Sequence, residues 1–402
     1  MTRSEATAVT KTVSDERRAE LVARAVGLQP LLRAHAHEMD AGRLLTDEVN
    51  DALVEAGMFR LLTPARLGGF QAGLRAAVEV VATLGEADGS VAWLVGVGSS
   101  VAAMFSRVSE SAQSTVFGDD PGARLAGCLT PATATRAPGG IRISGRWASA
   151  SGANHASWAT IAAMVLADDG NVVDAVVAIV PLSDLRIEDT WHTVGMRATA
   201  SNTLIGENVF VPEHMVVSVA QLTADSGPAS VEDSAPRPPL STLGALMLVA
   251  PLLGMGRAAV NLAVDKAHGR AVSQTSYVRQ CDSVGVQIQV AEAAVKVKTA
   301  QLHVFDLADE FDAAAARGGQ VDYAVRAQAR ARAAYAASQV LDAIQIAVNV
   351  HGAGSFAESS RMQQYWRDAN TAARHGSLNA IVGFEIYGKA LLGLHERISA
   401  MV

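Results

Sequence analysis

The stretch WHTVGMRATASNTLIGENVFVP, residues 191–212, decides the fold. Its first half gathers Trp191, Met196, Arg197, Thr199 and Ser201 among small polar residues, with neither helical nor strand periodicity. Such a run suits the end of one strand and the start of the next. The second half is β-rich, and Gly206-Glu207-Asn208 supplies a turn signal inside it.

Working outward, the same character holds from Arg124 to Pro212. GGIRISGRWASAS, WATIAAMVL and DAVVAIVPL are short β-rich segments, separated by turn residues at Gly139-Gly140 and at Asp168-Asp169-Gly170-Asn171. This predicts a compact antiparallel β domain over residues 121–222. Residues 15–120 before it are helical in pattern. Thr46 can cap one helix, Gly57 can end it, and SVAWLVGVGSSVAAMF is apolar on nearly every face, as a buried helix would be. Residues 1–14 read as a disordered tail. After the β domain, residues 223–239 are rich in Ser, Pro, Ala and Asp and read as a linker. Residues 240–402 are helical again, with long Ala-rich runs interrupted by HGAGS at 351–355. The order is all-α, β, all-α.

Composition narrows the function. The 402 residues carry a formal net charge of -7 with no basic stripe, which excludes a nucleic-acid binder. With 50% hydrophobic and only 18% charged residues, a chain of this length is expected to cover surface against copies of itself. Cys128 and Cys281 form no CxxC or metal spacing, as suits a reducing cytoplasm. The polar N-terminus lacks a signal-peptide core, and the longest apolar stretch, residues 243–253, is too short to span a bilayer. We therefore expect a cytoplasmic protein without a membrane partner. His35 and His37 point to different helix faces and no HExxH occurs, so no metal site is expected. GMGRAAV at 254–260 matches a dinucleotide fingerprint only superficially. No βαβ unit surrounds it, and small residues that let helices approach explain it better. A nucleophile elbow, GxSxG, is absent.

Three segments stand out. RWASASGANHASW, residues 146–158, sets small and hydroxyl residues between two tryptophans, a surface that can meet a heteroaromatic ring. The second is DTWHTVGMRATASNTL, residues 189–204. The third, MQQYWRDANTAARHGSLN at 362–379, carries a lone histidine, His375, after Trp366-Arg367-Asp368. Each has a structural alternative: a lone histidine on a helix is more often a core or surface residue than a catalyst.

Together these segments resemble the acyl-CoA dehydrogenase superfamily over nearly the whole chain. VNDALVEAGMFRLLTPARLGG with GEADGSVAW is similar to its helical domain, residues 191–212 to its β-domain signature, and HGAGSFAESSRMQQYWRDA to its C-terminal bundle. The resemblance implies an α+β fold with an N-terminal helical domain, a central antiparallel β domain and a C-terminal four-helix bundle. It also implies a homotetramer with a flavin in a cleft between domains. The dehydrogenase's catalytic base is missing. Gly376 stands at its usual position, and the alternative region, residues 243–262, holds no Asp or Glu.

The chain instead resembles the flavin monooxygenases of that superfamily, whose pattern is Trp-x-x-x-Ser-Gly in the β domain and a histidine after W-R-D-A. Here these are Trp147 through Ser151 and Gly152, and His375. The resemblance implies reduced FAD or FMN, delivered by a separate NAD(P)H-flavin reductase, which reacts with O2 through a C4a-hydroperoxyflavin to hydroxylate a small-molecule substrate. By the same resemblance Trp147, Ser149, Ser151, Gly152, Thr199, Ser201 and Arg279 contact the cofactor. Ser151 lies near flavin N5 or O4, and Arg279 reaches a phosphate from a neighbouring subunit. For Arg279 the alternative is a plain surface arginine, and for Thr199 and Ser201 a purely structural strand-end role. His375 assists oxygen transfer, and Trp93, Ser99, Ser100 and Trp366 line the substrate pocket. The apolar helix over 92–105 suits the wall of a dry pocket. A second histidine that many phenol hydroxylases of this group carry after the A-W pair is absent here. Indoles, polycyclic aromatic natural products and amino-sugar N-oxidation all stay open. So do an acyl-CoA dehydrogenase or oxidase with a relocated base, and a scaffold that binds no flavin.

Overall fold

The computed structural model describes residues 3–223, 239–317, 321–394, 396–399 and 402; for residues 3–14 and 241 it describes the backbone alone. The expected linker lies almost wholly outside the described residues.

Five helices come first: α1 (Arg3–Gly42), α2 (Asp47–Glu55), α3 (Leu74–Gly85), α4 (Gly89–Met104) and α5 (Glu110–Phe117). Helix α1 begins at Arg3, where the sequence reading placed a disordered tail up to residue 14. Good helix formers such as Glu5, Ala6 and Ala8 extend an existing helix at little cost. Thr46 accepts from Val49 N to cap α2, and Gly57 follows that helix in the left-handed conformation at φ 74°. Asp88 caps α4 by accepting from Val91 N at 3.0 Å.

The sheet holds β1 (Leu125–Ala137), β2 (Gly140–Ala150), β3 (Trp158–Leu166), β4 (Val172–Pro181), β5 (Arg186–Glu188), β6 (Asn202–Pro212) and β7 (Val216–Ser218), in the order β5-β6-β2-β1-β3-β4-β7. It is mixed, not purely antiparallel: β1 and β3 run parallel. Strand β2 folds back on β1 through the turn at Gly139, so a strand that starts where β2 ends and pairs with the far edge of β1 must run as β1 does. Gly206-Glu207-Asn208 is no turn either. Strand β6 passes through it without a break, pairing with β2 on both sides of a register shift, and Asn208 takes φ 52°.

After the short α6 (Val219–Thr223) come α7 (Leu240–Ala267), α8 (Val284–Ala316), α9 (Tyr323–His351), α10 (Arg361–Ala372) and α11 (Ala380–Leu391). One core joins the N-terminal helices to α7–α10, and a second fills the sheet together with α5. The Gly254 motif belongs to the first. A Cβ there would sit 2.1 Å from Ala82 O, so the glycine lets α7 lie directly on α3. The apolar helix around it is longer than the 243–253 stretch suggested. Thr242–Ala267 is long and apolar enough to cross a membrane, but 83% of that window is buried inside the fold.

Candidate active site

Strand β2 leaves the sheet by a bulge. Its register against β6 shifts between Trp147 and Ala150, and Ser149 takes φ 64°. Gly152 follows at φ 76°, a left-handed turn where a Cβ would also press to 3.1 Å from Leu94 Cδ2. Its amide donates to Thr199 O at 3.0 Å, which stitches this crossover to the loop at 196–200. That loop holds two more left-handed residues without the freedom of glycine, Met196 at φ 55° and Ala200 at φ 43°. Strain of this kind persists only where neighbours over-determine it. Here Asp368 Oδ1 accepts from Met196 N at 2.5 Å, and Met196 O accepts from Trp191 Nε1 at 2.9 Å. Asn202 Oδ1 accepts from the amides of Thr190 and Trp191, both at 3.1 Å.

The reward is a directed chain of hydroxyls. Thr199 Oγ1 donates to Met196 O at 2.8 Å and lies 2.7 Å from Ser201 Oγ, which lies 2.7 Å from Ser151 Oγ; Trp93 Nε1 donates to Ser151 Oγ at 3.2 Å. Each hydroxyl has one proton and a carbonyl can only accept. Thr199 is committed to Met196 O, so Ser201 donates to Thr199 and Ser151 donates to Ser201. Ser151 therefore keeps a lone pair for the cleft and no proton for it.

His375 stands on the other side of Trp93, with ring centroids 5.6 Å apart and planes at 66°. It caps the short turn after α10, its Nδ1 accepting from Ser377 N at 3.0 Å, so the neutral ring carries its proton on Nε2. The ring is open to solvent on one side and walled by protein on others. Lost solvation first, and the Arg330 charge second, hold its pKa below the ordinary imidazole value. Arg330 itself donates to Gly376 O. Beside Ser151 lies a partly open cavity, lined chiefly by apolar side chains from α4, the loop before α3 and the start of β1. None of its lining residues is Asp or Glu.

Family models of the acyl-CoA dehydrogenase N-terminal and C-terminal domains match residues 20–116 and 246–380. The chain belongs to the acyl-CoA dehydrogenase superfamily. Within it, the chain is 32% identical over 374 residues to the flavin-dependent monooxygenase oxygenase subunit HsaA of Rhodococcus jostii, covering 91% of this chain and 97% of that protein. It is 31% identical to the FADH(2)-dependent resorcinol hydroxylase, oxygenase component, of a Rhizobium species, covering 94% and 95%. The structure of XiaF from a Streptomyces species, in complex with FADH2 and glycerol, matches with a TM-score of 0.94 at 34% identity, covering 98% of this chain and all of that one. This member of the superfamily is an oxidoreductase, a flavin-dependent monooxygenase.

In this monooxygenase Ser151, Gly152, Thr199, Ser201, Trp93 and His375 come together in one place. Others do not. Trp147 is fully buried in the sheet core and donates to Ala162 O at 2.9 Å, because its place in β2 continues the inward phase of Ile141 and Ile143. Ser149 points to solvent and serves the bulge. On α4 the cavity face is Leu94, Gly98 and Ala102, one face at helical spacing. Ser99 is buried without a partner, and Ser100 bonds back to Gly96 O at 2.9 Å. Trp366 faces Gln345 and Phe356, donating to Gln345 Oε1 at 3.0 Å, away from the cavity. Arg279 lies in solvent, paired through two hydrogen bonds with Asp282. Missed altogether were Arg124 and His155, which line the cavity. His155 stood inside a segment already singled out; nothing in PGARLAG marks Arg124.

Proposed function

We propose that this monooxygenase is the oxygenase half of a two-component system. It takes reduced FAD or FMN from a separate NAD(P)H-flavin reductase and uses O2 to hydroxylate an aromatic, indole-like or polycyclic substrate. The observation that carries the reading is the directed chain ending at Ser151. An oxidised flavin offers only acceptors at N5 and O4, whereas the reduced ring presents N5–H, and Ser151 is wired to accept. The residues present fit such a ring: a flat polar edge meets the hydroxyl chain, and Gly152 keeps the backbone approach open.

When bound, reduced flavin supplies the electrons that activate dioxygen. The protein's share is then positioning and dryness. Ser151 holds the ring edge, with Ser201 and Thr199 fixing its orientation. His375 offers Nε2–H as a fixed donor for oxygen being transferred, and the apolar face of α4 keeps water away. An amino sugar would need many more polar partners than this cavity offers, and removal of a proton beside a thioester would need a carboxylate that the lining lacks. A stripe of exposed apolar residues along α8 (Val284, Ile288, Val295, Leu302) supports a homo-oligomer, in which Arg279 would meet a neighbour's cofactor phosphate.

The test is stopped-flow mixing of the protein and reduced flavin with oxygen. Return of oxidised-flavin absorbance should be slower than for free flavin. Unslowed return, together with bleaching of bound oxidised flavin by an acyl-CoA, would move the assignment to a dehydrogenase.

A further inference from the structure

We propose that Arg124 and His155 form the recognition end of the substrate cavity, and that the substrate is an aromatic bearing a carboxylate. This deepens the monooxygenase reading and rests on it for the reacting aromatic ring. The new element is the charged group.

Leu45, Phe59, Leu94, Ala102 and Leu125 give the cavity apolar walls, which suit an aromatic ring. Into these walls the fold sets a guanidinium. Arg124 is half-buried, and among the described residues it has no ion-pair partner. It donates to the neutral amide of Asn50 and stacks 5.3 Å from the Phe59 ring centroid. Asp51 and Asp120 lie close enough to be felt, but their oxygens accept from Asn50 Nδ2 at 3.1 Å and Gly122 N at 2.9 Å. Some arginines of similar exposure sit on carboxylates, as Arg43 does on Asp189 and Arg367 on Asp40, whereas Arg124, like Arg330, forms no ion pair among the described residues.

His155 adds a second unmet group. Its Nε2 is shielded from solvent and has no partner in the free protein. Burial first, and the Arg124 charge second, hold its pKa down, so the ring is neutral and can share a hydrogen bond with an oxygen that Arg124 grips. A half-buried guanidinium that no carboxylate pairs with is under-satisfied, and a ligand carboxylate can complete it. The guanidinium fork matches a carboxylate in shape as well as charge. Ser151 and Gly152 line the same cavity, so a ring held by this grip lies against the flavin edge.

The experiment compares 2-naphthoate with its neutral isostere 2-naphthamide by isothermal titration calorimetry, on the full chain with and without reduced FAD under nitrogen. The carboxylate should bind at least about tenfold tighter, as charge-assisted bonds require. In Arg124→Gln the two probes should bind alike, and Arg124→Lys should recover part of the preference; circular dichroism checks that both variants fold. Equal binding to the unaltered protein, or a preference that survives Arg124→Gln, overturns the proposal. The flavin assay separates the two readings. Slowed reoxidation without carboxylate preference sinks the substrate class alone, and preference without slowed reoxidation upholds this inference while sinking the monooxygenase mechanism.

Discussion

Trp93 and His375 meet edge to face at 5.6 Å, while the same indole donates its N–H to Ser151. One rigid, nearly buried side chain on α4 thus spaces two polar groups contributed by distant parts of the sequence. The indole also covers one side of Ser151, which strengthens whatever hydrogen bonds that hydroxyl makes in the cleft.

His375 should work as a neutral ring. Its Nδ1 already accepts from Ser377 N, so adding a proton there would break that bond as well as place a charge near Arg330. Because its pKa is lowered, the neutral form persists to more acid pH than an ordinary histidine, whose pKa is near 6.5. Product formed per O2 consumed should stay level as pH falls to that value and drop only below it. His375→Ala should abolish the acid limb and divert oxygen to hydrogen peroxide, slowing hydroxylation by about a hundredfold, the lower end for a positioned proton donor. Unaltered product yield in the variant removes His375 from the mechanism.

The direction of the hydroxyl chain can be tested at its middle. In Ser201→Ala the Ser151 proton loses its acceptor and becomes free to point into the cleft. Ser151 could then donate to oxidised flavin as readily as it accepts from reduced flavin. The ratio of reduced to oxidised flavin affinity, measured by fluorescence and anaerobic titration, should fall by about three- to tenfold, the worth of one hydrogen bond. A ratio equal to that of the unaltered protein would show that the chain does not set redox preference.

The order of α, β and α segments and the polar residues around Ser151 and Thr199 were legible because composition shifts sharply at those places. His375 was legible through W-R-D-A. Period-two alternation with Ile141 and Ile143 places Trp147 inward, a signal that the Trp-x-x-x-Ser-Gly pattern masks. Helical phase on α4 was not legible, since an element apolar on nearly every side does not announce which side is left open; Gly98 and not Ser99 faces the cavity. Arg124 was beyond reach for a different reason. What sets it apart is a cavity-lining position with, among the described residues, no carboxylate in ion-pair contact, and that is a property of three-dimensional neighbours. Strand order likewise decides the parallel β1–β3 pair, and no local pattern encodes it.

Asp368 shows how stability and site geometry are tied. Its carboxyl is fully buried under the 196–200 loop, accepts from Met196 N, and is pushed up to about 7, first by burial and then by the neighbouring Asp88. Asp88 is raised too, chiefly by burial, while Arg361 opposes the shift; Arg367 and Asp40 also face Asp368. A carboxyl whose folded pKa exceeds its unfolded value holds an extra proton in the native state between the two. Stability from this group is therefore full below the ordinary carboxyl range and declines as pH rises toward about 7. Asp368→Asn keeps an acceptor for Met196 N but removes the titration. It should flatten the pH dependence of urea unfolding between pH ~4 and ~7 and leave the variant more stable than the parent at the upper end, on the order of 1–3 kcal/mol. Asp368→Leu strands the Met196 amide and should cost roughly 1–3 kcal/mol at every pH while weakening flavin binding through Thr199 and Ser201. If the parent and Asp368→Asn show parallel pH curves, the proton on this carboxyl plays no part in holding the loop.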